Sequence, residues 1–203
     1  MKYLIIFMLT VTTALFAGSF DDGYGENIQE TYISFSLGGA SNGYSSDYVD
    51  FLKNSGDMDY GSIFVDFGIY FPMDTHLLVG AAISISSDHF SEVENSEKYI
   101  DYTTSLIGVS ALYFLDYIEE GAFLRGDIGF TSLSADFGDY EYSESRTNDE
   151  FGLGVLVGVG YSLPLTWGSV TGNLLFSHKK INDSISSNTL SVSTLSLSVG
   201  ILW

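Results

Sequence analysis

The sequence contains no cysteine, and this absence excludes two kinds of chemistry. Disulfide bonds cannot form, and neither thiolate metal sites nor the cysteine that anchors a lipoprotein are available. Basic residues are scarce as well: seven Lys and Arg stand against 26 Asp and Glu, for a net charge of −19. An acidic surface repels phosphate backbones, so nucleic acid is excluded as a partner.

The chain also lacks a long apolar run beyond its amino terminus. Met1 and Lys2 precede an apolar stretch over residues 3–16, and Ala17 is a suitable last residue before cleavage. This pattern predicts a secretory signal peptide over 1–17, followed by a flexible acidic periplasmic tail over 18–30. No later stretch reaches the roughly 18 apolar residues of a membrane helix. A membrane protein without helical spans must close its strands into a barrel.

Eight segments alternate with a period of two, which is typical of strands with one apolar and one small or polar face. They cover residues 31–40, 60–71, 76–86, 102–115, 122–132, 151–163, 169–178 and 191–203. We therefore predict an all-β fold, an eight-stranded antiparallel up-and-down transmembrane β-barrel over 31–203.

The connections alternate in length. Residues 72–75, 116–121 and 164–168 are short, whereas 41–59, 87–101, 133–150 and 179–189 are long and contain most of the acids. Short periplasmic turns and long external loops are expected of outer-membrane barrels. The pattern predicts periplasmic termini and extracellular loops, with these residues accessible outside the cell: Tyr48, Asp50, Asp57, Tyr140, Glu141 and Tyr142.

The last segment ends on an aromatic residue of its apolar face. Val199, Ile201 and Trp203 share one parity with Leu195 and Leu197. This end resembles the closing strand of bacterial outer-membrane barrels, whose assembly machinery reads a terminal aromatic signal. The chain is similar to the small eight-stranded barrels of the OmpA-like and OmpX-like kind. The resemblance implies the bacterial outer membrane as location, and outer-membrane lipid, lipopolysaccharide and the barrel assembly machinery as partners.

Charge decides the orientation of the fifth segment. Arg125 and Asp127 share a parity, and an arginine facing lipid at the midplane costs up to ~2–4 kcal/mol. Both residues are therefore predicted to face the lumen with Asp66. Because an uncompensated buried charge is costly, we predict that Arg125 bridges at least one of the two acids.

The predicted inward face is otherwise small, being rich in Ser and Gly. Larger inward side chains are expected to fill the gaps, namely Phe64, Tyr70, Leu112, Phe114, Leu156 and Leu175. A residual watery cavity, and with it a small porin, is the alternative.

Aromatic residues near strand ends predict two interfacial girdles: Tyr60, Tyr102 and Phe151 at one rim, and Phe71, Tyr113, Tyr161, Trp167 and Trp203 at the other.

Three motifs invite a chemical interpretation, and none is retained as a site. The glycines of 152–160 follow the strand period, so they are interpreted as inward positions that let the barrel close tightly. Asp139, Glu141 and Glu144 could meet a calcium ion but lack EF-hand spacing. The pair His89-x-Ser91 resembles that of a lipid A deacylase barrel, but it lies in a predicted loop and lacks the following Asn.

The sequence thus predicts a protein without catalytic residues, metal or cofactor. The leading hypothesis is a non-enzymatic surface scaffold that presents acidic, Tyr-rich loops for envelope integrity or adhesion to an unknown surface ligand. The alternatives are a small porin and a lipid A-modifying enzyme.

Overall fold

The structure is a computed structural model that describes residues 31–45, 58–92, 99–137, 150–182 and 189–203. The predictions for the signal peptide and the tail, and the candidate calcium residues Asp139, Glu141 and Glu144, lie outside these residues. Eight strands make up the fold, and their bounds are β1 Tyr32–Tyr44, β2 Met58–Pro72, β3 Leu77–Glu92, β4 Tyr99–Phe114, β5 Gly121–Phe137, β6 Glu150–Leu165, β7 Gly168–Asn182 and β8 Thr189–Leu202.

The strands form one closed antiparallel barrel. Each strand pairs with the next in sequence, and β1 pairs with β8 to close the ring. The predicted fold class is therefore confirmed. No helix among the described residues is long and apolar enough to cross a membrane.

Three short connections lie at one end of the barrel, which we call the turn end; the opposite end is the loop end. Between β2 and β3, the Asp74 carboxylate accepts hydrogen bonds from the backbone nitrogens of His76 and Leu77, at 2.7 and 2.8 Å. Between β4 and β5, Glu119 and Gly121 adopt φ values of 72° and 74°, which the tight reversal requires. Between β6 and β7, only two residues separate the paired Leu165 and Gly168.

Alternate side chains face outward and form an apolar belt. The predicted outward parity is confirmed on β1 to β6 and on β8: the outward residues there are exposed or half-buried, whereas their neighbours are mostly buried. Exposed members of the belt include Phe35, Leu37, Ile63, Phe67, Val109, Leu124, Ile128, Phe130, Leu153, Val157, Leu197 and Val199. In water such a surface would be a strong association site, and a lipid environment is its natural solvent.

The inward face contains three apolar layers. The lower apolar layer, at the turn end, contains Tyr32, Tyr70, Leu78, Leu112, Phe114, Phe123 and Leu202. The middle apolar layer contains Phe64, Leu106, Leu156 and Leu175. The upper apolar layer, at the loop end, contains Tyr44, Phe90, Ile100, Leu133, Ile181 and Val192. The six inward side chains predicted to fill the lumen are all buried.

Glycines on β6 make room for these layers. A Cβ on Gly158 would collide with the Leu175 side chain, and one on Gly160 would collide with the Phe123 ring. The inward interpretation is confirmed for Gly158 and Gly160, because each faces a large lumenal side chain of the neighbouring strand.

The predicted strand ends are right at the turn end and too early at the loop end. The third segment was expected to stop at residue 86, but β3 continues to Glu92. Its outward face is apolar as far as Ile85 and then polar, with Ser87, His89 and Ser91. Apolar and polar residues no longer alternate there, although pairing with β4 continues. The other strands are also longer than predicted at this end, so parts of all four predicted loops belong to strands.

Two of the predicted girdle residues were assigned to the wrong face. Tyr60 and Tyr102 follow the inward parity, and both rings contact the buried Phe90, at centroid distances of 5.1 and 6.2 Å. Phe151, Tyr113, Tyr161 and Trp167 are exposed on the outside. Aromatic content at a strand end therefore did not distinguish a lipid-facing ring from one that closes the lumen.

Candidate functional site

The charged residues predicted to face the lumen meet in one cluster, which we call the lower polar layer. Arg125 on β5 reaches across the lumen to Asp66 on β2, where Nη1 and Nη2 donate to the two carboxylate oxygens at 2.7 and 2.8 Å. The same guanidinium donates to Asp127 at 2.7 Å through Nη2 and at 3.0 Å through Nε. All three side chains are almost completely buried.

Neutral residues complete this layer. The Ser110 hydroxyl donates to Asp127 at 2.5 Å, and the Tyr70 hydroxyl shares a hydrogen bond of 3.2 Å with Ser110. A cavity of about 20 Å³ adjoins the cluster between Ser34, Asp66 and Asn173, a volume on the scale of one water molecule. One guanidinium that binds two carboxylates forms strong charge-assisted hydrogen bonds, so the arrangement stabilises a closed lumen.

A second set of buried polar residues, the upper polar layer, was not predicted. Asp88 accepts hydrogen bonds from Asn42 at 2.8 Å and from the Tyr60 hydroxyl at 3.0 Å. Lys179 donates from Nζ to the Thr104 hydroxyl at 2.7 Å. Asp88 and Lys179 were expected in external loops, and both are buried in the lumen. Asp88 has an even number on β3 and Lys179 an odd number on β7, as the other inward residues of those strands do. This parity was the sequence signal that could have placed both in the lumen.

The lumen thus alternates apolar and polar layers from one end to the other. In each of the two end layers, the largest side chains are shut off from solvent, including Tyr70, Phe114, Phe90 and Ile181. Side chains therefore fill both ends of the described barrel, as expected of an eight-stranded interior.

The pair His89 and Ser91 lies on the outer wall rather than in a loop. Both residues belong to β3, and His89 Nδ1 lies 2.6 Å from Oδ1 of Asp101 on β4. The His89 ring contacts Tyr99 at a centroid distance of 5.8 Å, and Tyr99 is the register partner of Ser91. A carboxylate that fixes Nδ1 leaves Nε2 free to accept a proton, which is the arrangement of a general base.

The terminal residues close the ring. Trp203 exchanges two backbone hydrogen bonds with Ile33 of β1, at 2.7 and 3.0 Å. Val199 is exposed on the outer wall, and Ile201 and Trp203 are half-buried on the same parity. These three residues therefore lie at the seam where β8 meets β1.

No metal site is evident in the part of the chain that the structure describes. Among those residues, no three His, Cys, Asp or Glu side chains lie close enough together to hold an ion.

Comparison with known proteins identifies the fold. No protein-family model and no curated protein sequence matches the chain. Among solved structures, the attachment invasion locus protein of Yersinia pestis is 15% identical over 86% of this chain and 100% of its own, with a TM-score of 0.56. Its complex with the heparin analogue sucrose octasulfate gives 14% identity and the same TM-score and coverage. Neisserial surface protein A is 16% identical over 87% of this chain and 99% of its own, with a TM-score of 0.49.

Proposed function

We propose that this chain is a bacterial outer-membrane barrel that acts as a scaffold for acidic, Tyr-rich segments at the cell surface, in adhesion or envelope integrity. The proposal is based on the fold, which is that of the small eight-stranded outer-membrane barrels. The attachment invasion locus protein of Yersinia pestis shares this fold, and its name associates it with attachment. Periplasmic termini, external long connections and assembly by the barrel machinery are parts of the same proposal.

One observation carries the proposal: the outer face changes from apolar to polar toward the loop end. The last apolar residue is followed by a polar one of the same parity on four strands: Ile85 by Ser87, Phe130 by Ser132, Phe176 by His178, and Leu195 by Ser193. Strands of 13–17 residues exceed the about 9–11 that cross a bilayer, so the loop ends stand clear of the lipid. Such a wall lifts the connecting segments away from the membrane, where they can meet other surfaces.

The test joins topology to binding. Cysteines placed at Tyr48 and Tyr140 are expected to react with an impermeant maleimide on whole cells, because these positions belong to the external connections. The natural chain has no cysteine, so the background is clean. A cysteine at Trp167 in the β6–β7 turn is the matched control, expected to react only after lysis. Labelling of Trp167 alone on whole cells would reverse the topology.

Adhesion is then measured on cells that express the parent or a variant with 46–57 and 138–149 replaced by short Gly-Ser connections. We expect cell binding to host or abiotic surfaces to fall to the level of non-expressing cells, with heat-modifiable gel migration unchanged. Equal binding by parent and shortened barrel would rule out adhesion through these segments.

The two alternatives are separated on one purified sample. The filled lumen favours a barrel without discrete conductance in planar bilayers, and stable single-channel steps would establish the porin instead.

The His89–Asp101 contact is the observation that favours a hydrolase, with Ser91 as nucleophile. Mass spectrometry of lipid A from expressing cells is expected to show unchanged acylation. Loss of an acyl chain that Ser91→Ala restores would establish the enzyme.

A further inference from the structure

In the described strands, the Lys and Arg side chains reach the outer wall at one place. The structure describes three Lys and Arg residues. Arg125 and Lys179 face the lumen, and Lys180 on β7 is exposed on the outside. Among the strand acids whose side chains the structure describes, those on the outward parity lie elsewhere on the ring: Asp59 on β2, Asp101 on β4 and Asp136 on β5. Within the described strands of a chain of net charge −19, the β7 wall is therefore where a Lys or Arg side chain can attract an anion from outside.

Lys180 has both polar and apolar neighbours. Its register partners are Leu153 on β6 and Ser191 on β8. Leu153 is 64% exposed and belongs to the apolar belt. Two residues toward the turn end, His178 lies beside the outward Val155 and Ser193, and its Nδ1 is 3.0 Å from the Ser193 hydroxyl. A cation next to outward apolar side chains fits an amphiphile better than a soluble anion.

The imidazole can contribute a second donor. When the Ser193 hydroxyl donates to Nδ1 of His178, the hydrogen of the neutral ring is on Nε2, which is then a donor for a phosphate oxygen. The Lys180 ammonium supplies the charge, and its flexible stem allows it to reach the headgroup level from a position beside Leu153.

We propose that Lys180 and His178, with Ser193 positioning the imidazole, bind a phosphate group of lipid A in the outer leaflet. This inference rests on the proposed outer-membrane location. Lipid A presents phosphate at the boundary between acyl chains and sugars, where apolar and charged contacts occur together. The site would fix the barrel's orientation toward lipopolysaccharide on its β7 side, leaving the acidic β2–β5 wall for cations or other partners.

The experiment measures lipid A retention by the refolded barrel. The barrel is purified in detergent and titrated with diphosphorylated lipid A or its dephosphorylated form, and bound lipid is counted by native mass spectrometry. We expect the parent to prefer the phosphorylated form, and Lys180→Gln to bind it about five-fold more weakly. Lys180→Arg should retain the affinity. His76→Gln, which changes a basic residue near the turn end, is the matched control and should behave as the parent.

Each contrary result has a distinct meaning. Equal retention by the parent and Lys180→Gln, or equal binding of phosphorylated and dephosphorylated lipid A, would overturn the phosphate site. Displacement of lipid A by inorganic phosphate at comparable concentration would overturn the lipid source and indicate a soluble phosphate. Correct surface labelling at Tyr48 with no phosphate preference would refute this inference alone, whereas labelling only after lysis would refute the proposed topology.

Discussion

Replacing Arg125 with alanine is expected to lower the free energy of unfolding by ~3–5 kcal/mol, because two carboxylates then remain buried without their cation. The guanidinium supplies the bidentate contact to Asp66 and the further contacts to Asp127, and the cluster lies between two apolar layers. Urea titration of the barrel in lipid vesicles, followed by tryptophan fluorescence, measures the change.

Two further variants separate charge from volume. Arg125→Met keeps most of the side-chain volume, so a loss as large as that of Arg125→Ala would assign the effect to charge. Adding Asp66→Asn and Asp127→Asn to Arg125→Met removes all three charges and should recover most of the stability, since neutral replacement of a buried ionic triad is often tolerated. A urea midpoint of Arg125→Ala equal to that of the parent would show that the bridge adds nothing.

Replacing Trp203 with aspartate is expected to abolish accumulation in the outer membrane. Its backbone pairs with Ile33 at the closing seam, and that pairing does not depend on the side chain. The substitution therefore changes the outward aromatic side chain alone, which is the recognition signal if the barrel machinery assembles this chain as proposed. Fractionation and heat-modifiable migration on gels measure the outcome, and we expect the protein to be degraded in the periplasm.

Matched substitutions define what the machinery reads. Trp203→Phe retains an aromatic end and should assemble as the parent does. Trp167→Asp removes an exposed aromatic from the same end of the barrel and should leave the yield unchanged. A normal yield of Trp203→Asp would reject the signal, and an equal loss from Trp167→Asp would show that rim aromatics in general are required.

The strand count, the parity of the outer face and the turn end could be predicted from sequence for a physical reason. Lipid demands apolar side chains at every second position, so the pattern is strong wherever a strand crosses the belt. Charge allowed the orientation of β5 to be predicted, because an arginine that faces lipid is energetically costly. The structure places Arg125 in the lumen, against Asp66 and Asp127.

The loop end could not be predicted in the same way, because outside the lipid both faces of a strand can be polar. On β3, Ser87 and His89 face outward while Asp88 faces inward, so polarity no longer separates the two faces. The parity of large apolar residues was still informative, since Phe90 and Ile181 continue the inward series. Extending each strand to such a residue would have placed Asp88 and Lys179 in the lumen.

The layered lumen has a consequence for strand alignment. A slip of one residue between neighbouring strands exchanges the two faces and exposes polar groups to lipid, but a slip of two residues preserves both faces. The outer belt hardly distinguishes such a slip, since Leu, Val and Phe are interchangeable against acyl chains. Inside, a two-residue slip of β5 would move Arg125 away from Asp66, and the same slip of β7 would move Lys179 away from Thr104. The shear of this barrel is therefore specified by its interior, at two heights separated by the middle apolar layer.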